Sequence, residues 1–164
     1  TDINLHAKGH EEEGVAPTKS FLKRLTDSKS LLYSVCKLVK YHSMPGALIQ
    51  QGSSIRAYKR LAAKLAPEIS MRQIAMITLS DLRGRNALGS EPLDTGAEIL
   101  DLFMSKVRGA KVEHGPEKPI LLGRHLLGVV EPGAKMGKIL EAAYRIQIDE
   151  GIQDVDELKR RVLR

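Results

Sequence analysis

Leu31, Leu32, Val35, Leu38, Val39 and His42 recur at the i, i+3, i+4 spacing that puts them on one face of an amphipathic α-helix. A strand would need its apolar residues at every second position, so this stretch does not fit a half-buried sheet. The same period recurs along most of the chain. Residues about 16–26 place Phe21, Leu22 and Leu25 on one face, with Pro17 in a first turn where a missing N–H has no consequence. Residues about 29–43 follow, and Met44-Pro45-Gly46 is expected to end that helix. Ile55, Tyr58, Leu61, Ala62 and Leu65 mark a third helix over about 54–65. Ser70 is placed to cap a fourth, running through Ile74, Ile77 and Leu79 towards Asp81. A fifth covers about 95–108, and Gly109 to Pro119 reads as a loop. Beyond it come a short turn-like element over Leu121–Gly128 and a long helix opened by Glu131-Pro132-Gly133 and stopped by Gly151. A last helix starts at Asp154 with Glu157 three residues on. The expectation is an all-α helical bundle of about seven to eight helices, with a body over 1–108 and a helical tail over 109–164.

At 164 residues the chain is long enough to bury a core. No apolar run approaches a membrane span, and no segment has the shape of a signal peptide, so no membrane partner is expected. The single cysteine, Cys36, excludes an internal disulfide and a Cys-clustered zinc site, which fits a reducing, cytoplasmic setting. The chain opens at Thr1 rather than Met and reads as a piece of a longer protein.

The net charge of +6 is unevenly spread. Residues 1–13 carry −3, residues 14–92 carry +9 and residues 93–164 are neutral. Such a basic half is the electrostatic footprint of a phosphate-bearing partner, or else a solvated basic surface. Aromatic residues make up only 4% with no Trp, which argues against a platform that stacks successive single-stranded bases.

Four places combine residues with chemical capacity. His10 lies among Glu11, Glu12 and Glu13, a mixture able to bind a divalent cation if further ligands converge, and otherwise a surface histidine. His42 sits on the apolar stripe with Leu38 four residues before it, so no local metal pair exists. Asp81-Leu82-Arg83-Gly84-Arg85-Asn86 puts an acid, two guanidinium forks and a glycine at a helix end. Arg83 and Arg85 there suit phosphate, or a helix C-cap with an internal Asp–Arg pair. Pro132 to Lys138 opens a helix but lacks the spacing and the Lys-Ser/Thr pair of a phosphate-binding P-loop, which leaves packing as its role.

The runs KGHEEEGVAPTKSFLKRL, LVKYHS and ITLSDLRGRN, followed by ILLGRHLLGVVEPGAKMGKILEAAYRIQIDEGI, resemble the later part of the HD-type region and the succeeding segment of bacterial tRNA nucleotidyltransferases. These are the CCA-adding enzymes and their poly(A) polymerase relatives. The resemblance covers about residues 6–158 in order. It implies an all-α HD-type body and tail, while the family's nucleotide-adding head is a separate N-terminal domain that uses Mg and nucleoside triphosphates. The head's Gly-Ser turn and paired acids are not in this chain; Gln51-Gly52-Ser53 is followed by no such pair. The implied role is therefore to bind tRNA or another structured RNA and position its 3′ end for a catalytic head outside this chain, with no cofactor of its own. Arg83, Arg85, Arg56, Lys59 and Arg60 are the expected phosphate contacts. The resemblance also implies an alternative, the remnant of an HD-type metal-dependent phosphohydrolase holding a divalent ion through His10 and Asp81. Its His-Asp dipeptide is absent, the five histidines being followed by Ala7, Glu11, Ser43, Gly115 and Leu126. A third expectation is a helical module that only packs or dimerises.

Overall fold

The computed structural model describes residues 9–85, 91 and 94–164, and these divide into two compact units between Pro116 and Glu117. The division falls within the loop expected over 109–119. Lys8 and Asn86, at the edges of two of the motifs above, lie outside the described residues. The fold is all-α, with no strand among the described residues.

The first unit contains α1 (His10–Glu13), α2 (Val15–Leu22), α3 (Lys29–Tyr41), α4 (Met44–Gln50), α5 (Ile55–Leu65), α6 (Met71–Arg83) and α7 (Ala97–Gly109). The second contains a 3-10 turn (Gly123–His125), α8 (Ala134–Glu150) and α9 (Val155–Val162). Among the described residues seven of these helices have eight residues or more, and α1 and α4 are shorter.

Local chemistry explains most boundaries. The Ser70 hydroxyl accepts from the Gln73 N–H while the Gln73 side chain accepts from the Ser70 N–H, so two helix-end donors of α6 are satisfied reciprocally. Asp154 caps α9 by accepting from the Glu157 N–H. Gly151 ends α8 in a left-handed conformation, φ 73°, which glycine adopts without steric penalty. At Met44-Pro45-Gly46 the structure departs from the expected stop: the segment opens α4. Proline in a first turn lacks only an N–H that has no intrahelical partner, so the residues that close one helix also begin the next.

The core of the first unit forms where α5, α6 and α7 meet. Tyr58, Leu61 and Leu65 of α5, Ile74 of α6 and Phe103 and Val107 of α7 are all but inaccessible to solvent, and the Tyr58 and Phe103 rings lie 5.6 Å apart between centroids. Aromatic pairs at such separation contribute about 0.5–1.5 kcal/mol beyond their buried area. The helix expected over about 16–26 ends at Leu22, so Leu25 lies beyond it, and the expected apolar face is not buried: Phe21 is 57% and Leu25 66% exposed, and α2 has no buried residue. The second unit packs Leu121, Leu126, Val130, Met136, Ala143, Ile152 and Leu158 together. Its one buried amide, Gln147, ties α8 to the segment before the 3-10 turn.

Candidate functional site

The most basic helix face belongs to α5. Its inner side is set by Tyr58, Leu61, Ala62 and Leu65, all buried. The 3.6-residue period then turns Arg56, Arg60 and Lys64 outward, and all three are exposed. Residues four apart on a helix advance about 6 Å, so the three cations form a row along one side. Lys59 lies beside the row and is half-buried. The helix, Ile-Arg-Ala-Tyr-Lys-Arg-Leu-Ala-Ala-Lys-Leu, contains no acidic residue. Lys59 and Arg60 also interact within the fold. Lys64 was not among the expected contacts, although its position four residues after Arg60 is the signal that marks it.

Arg83 and Arg85 are oriented differently. Arg83 donates from Nε to the Thr95 carbonyl oxygen at 3.4 Å and faces the Asp94 carboxylate at 3.5 Å, binding the end of α6 to the approach to α7. Arg85 donates through both Nε and Nη2 to Asp81, one turn before it. Both guanidinium groups therefore have partners within the fold, Arg83 at the approach to α7 and Arg85 at Asp81 of α6.

A second cluster stands where α1, the end of α3 and the start of α4 meet. His10 and His42 approach with their Nε2 atoms 3.2 Å apart and their ring centroids 5.2 Å apart. The His42 Nδ1 lies 2.7 Å from the Val39 carbonyl oxygen. A carbonyl oxygen can only accept, so the His42 Nδ1 carries a proton and donates to it, and in the neutral ring this leaves the Nε2 lone pair facing His10. The Glu11 carboxylate lies 3.5 Å from the His10 Nδ1. Its pKa is held below the ordinary carboxylate value, first by a hydrogen bond from its own backbone N–H, then by the Ser43 hydroxyl, and further by the charge of His10 and His42. Thr78 of α6 buttresses this corner: its hydroxyl is 2.5 Å from the His42 carbonyl oxygen and 2.8 Å from that of Ile74.

The structure thus brings His10 to His42, a neighbour the sequence spacing does not reveal. It leaves Asp81 with Arg85. Among the described residues no group of three or more His, Cys, Asp and Glu side chains is arranged to hold a metal ion. No described helix is long and apolar enough to cross a membrane. No protein-family model matches the chain, and comparison with the curated proteins and with the solved structures gives no match.

Proposed function

We propose that this chain grips structured RNA, tRNA above all, through phosphate contacts, and presents the RNA 3′ end to a nucleotidyltransferase head outside it. The observation that carries this reading is the row Arg56, Arg60 and Lys64 on a helix without acids, set in the half of the sequence that carries +9. Cations spaced along a helix neutralise successive phosphates and release counterions, a contact that reads backbone shape more than base identity. The family resemblance supplies the RNA class. Titrating the chain with tRNA and with a DNA duplex of equal length across a salt series tests the reading. Tight, tRNA-preferring binding that weakens steeply with salt supports it. Absence of binding at low salt overturns it and leaves a packing module.

One observation favours a second reading, a divalent metal held by a partial HD-type site. The full ligand set that the resemblance implies does not fit, because Asp81 is bound by Arg85 and, among the described residues, no third ligand joins the histidines. The histidine pair does fit two positions of a tetrahedral ion. Zinc–nitrogen bonds of about 2.0–2.1 Å at a tetrahedral angle separate two nitrogens by about 3.3–3.4 Å, against the 3.2 Å between the His10 and His42 Nε2 atoms. Such a site would take zinc or cobalt with solvent completing the shell. Cobalt(II) titration followed by its visible absorption tests it: a tetrahedral spectrum lost in His42→Gln supports the site, and an unchanged aqueous spectrum eliminates it.

A further inference from the structure

Away from the α5 row and the histidine pair, a groove of about 580 Å³ runs between α2 and α3. That volume lies in the range of small-molecule sites, about 300–1,000 Å³. Its apolar part comes from Val15, Leu32 and Cys36. Lys19 and Lys23 border it from α2 and the α2–α3 connection, and Lys29 from the start of α3. None of the three lysines has an ion-pair partner among the described residues. Tyr33, 58% exposed, adds an aromatic ring to the groove, and the exposed Asp27 adds one carboxylate.

We propose that this groove binds a nucleoside phosphate. Each part of the ligand follows from a part of the lining. Three ammonium groups with no ion-pair partner among the described residues suit an anion with several oxygens, as a phosphate provides. The apolar floor and the Tyr33 ring suit a planar, weakly polar body, and a base stacked on an aromatic ring gains about 1–3 kcal/mol in other proteins. A fatty carboxylate would satisfy the lysines and the floor but would meet the Asp27 carboxylate with nothing to donate. A nucleoside has ribose hydroxyls that donate to it. The site is independent of the α5 reading, since it uses different helices and different cations.

Cys36 provides the test. It is the only cysteine in the chain, it lines the groove and it is free, so its rate of reaction with a thiol reagent reports on this one groove. The probes are adenosine 5′-monophosphate, adenosine, inorganic phosphate and octanoate, each added to the whole chain. Adenosine 5′-monophosphate is expected to slow labelling at least about fivefold at saturation, with adenosine and phosphate each needing about tenfold higher concentration. Replacing all three lysines by glutamine (Lys19→Gln, Lys23→Gln, Lys29→Gln) is expected to weaken protection by the nucleotide at least about tenfold. These positions are exposed, so the variant keeps its fold, which circular dichroism verifies. Tyr33→Ala is expected to remove the advantage of the nucleotide over inorganic phosphate. Failure of the nucleotide to protect Cys36, equal protection by octanoate, or protection unchanged in the lysine variant overturns the proposal. Charge removal on α5 is expected to leave Cys36 protection as it is, so failure of the RNA reading and failure of this one give different results.

Discussion

His10 and His42 stand 32 residues apart in sequence, yet their Nε2 atoms are 3.2 Å apart in the fold. Four separate features surround the contact. Gly9 takes a left-handed conformation, φ 88°, at the start of α1. The Val39 carbonyl orients the His42 ring, and Thr78 holds the His42 backbone from α6. Lys40 then pairs with Glu12 at 2.8 Å and clamps α1 onto α3. A histidine that reads as part of an apolar stripe is thereby converted into half of a polar pair.

For the RNA reading, alanine at Arg56, Arg60 and Lys64 is expected to weaken tRNA binding and flatten its salt dependence. Each phosphate no longer neutralised by the protein reduces the slope of log K against log salt by about 0.7–0.9. Alanine at Arg83 or Arg85 is expected to change the slope much less, because those groups are committed to Asp94, Thr95 and Asp81. Fluorescence anisotropy with labelled tRNA at several salt concentrations measures both.

Acid sensitivity of the first unit is expected to depend in part on Lys37 and Glu68. The Lys37 ammonium donates to the carbonyl oxygens of Leu65 at 3.2 Å and Ala66 at 3.1 Å and pairs with Glu68. The Glu68 carboxyl is held below its ordinary value of 4.5, first by the hydrogen bond from Lys37 and then by its own backbone N–H. A carboxylate with a depressed folded pKa contributes stability above its unfolded pKa and loses it as pH falls through the folded value. Glu68→Gln is therefore expected to lower Tm near neutral pH, with the deficit closing as pH falls below 4.5. An equal deficit at neutral and strongly acid pH would refute this assignment.

Gln147 is expected to be the polar residue least tolerant of replacement in the second unit. It is fully buried, donates from Nε2 to Glu117 Oε1 at 2.7 Å and to the Lys118 carbonyl at 2.9 Å, and accepts from the Ile120 N–H at 3.0 Å. Gln147→Leu removes these three hydrogen bonds, among them those of the Lys118 carbonyl and the Ile120 N–H, a loss of about 1–3 kcal/mol. Urea unfolding gives the magnitude, and faster amide exchange at Ile120 identifies the cause.

Two glycines at opposite ends of α7 are expected to respond in opposite ways. Gly96 has φ 85°, and a Cβ there would lie 2.8 Å from Leu82 Cδ1 and 3.2 Å from Leu79 Cδ1. Gly96→Ala is expected to destabilise by about 1–2 kcal/mol, from left-handed strain together with crowding. Gly109 is the last residue of α7, and a Cβ there meets nothing within 4 Å. Gly109→Ala is expected to be neutral or to stabilise by up to about 1 kcal/mol. Thermal unfolding of the two variants side by side decides it.

Helix identity is legible in the residues because its causes are local. The i, i+3, i+4 stripes, the Ser70–Gln73 and Asp154–Glu157 starts and the Gly151 stop act within one or two turns, and all appear in the structure. The Met44-Pro45-Gly46 segment misleads because a signal that closes one helix is chemically the same as one that opens another. Burial is less legible: Phe21 on α2 and Leu25 in the turn after it are both exposed, since an apolar side chain becomes core only if another element covers it. The outward row on α5 follows from sequence once Tyr58, Leu61 and Leu65 are assigned inward, since the helical period fixes the opposite face. The structure settles that Arg85 takes up Asp81, and tertiary packing alone decides that His10 meets His42 and that Lys37 reaches Glu68. The first of these pairs spans one helical turn that left two readings open, and the other two join residues about thirty positions apart. Only packing against a shared core sets such distances, because no local backbone preference extends that far.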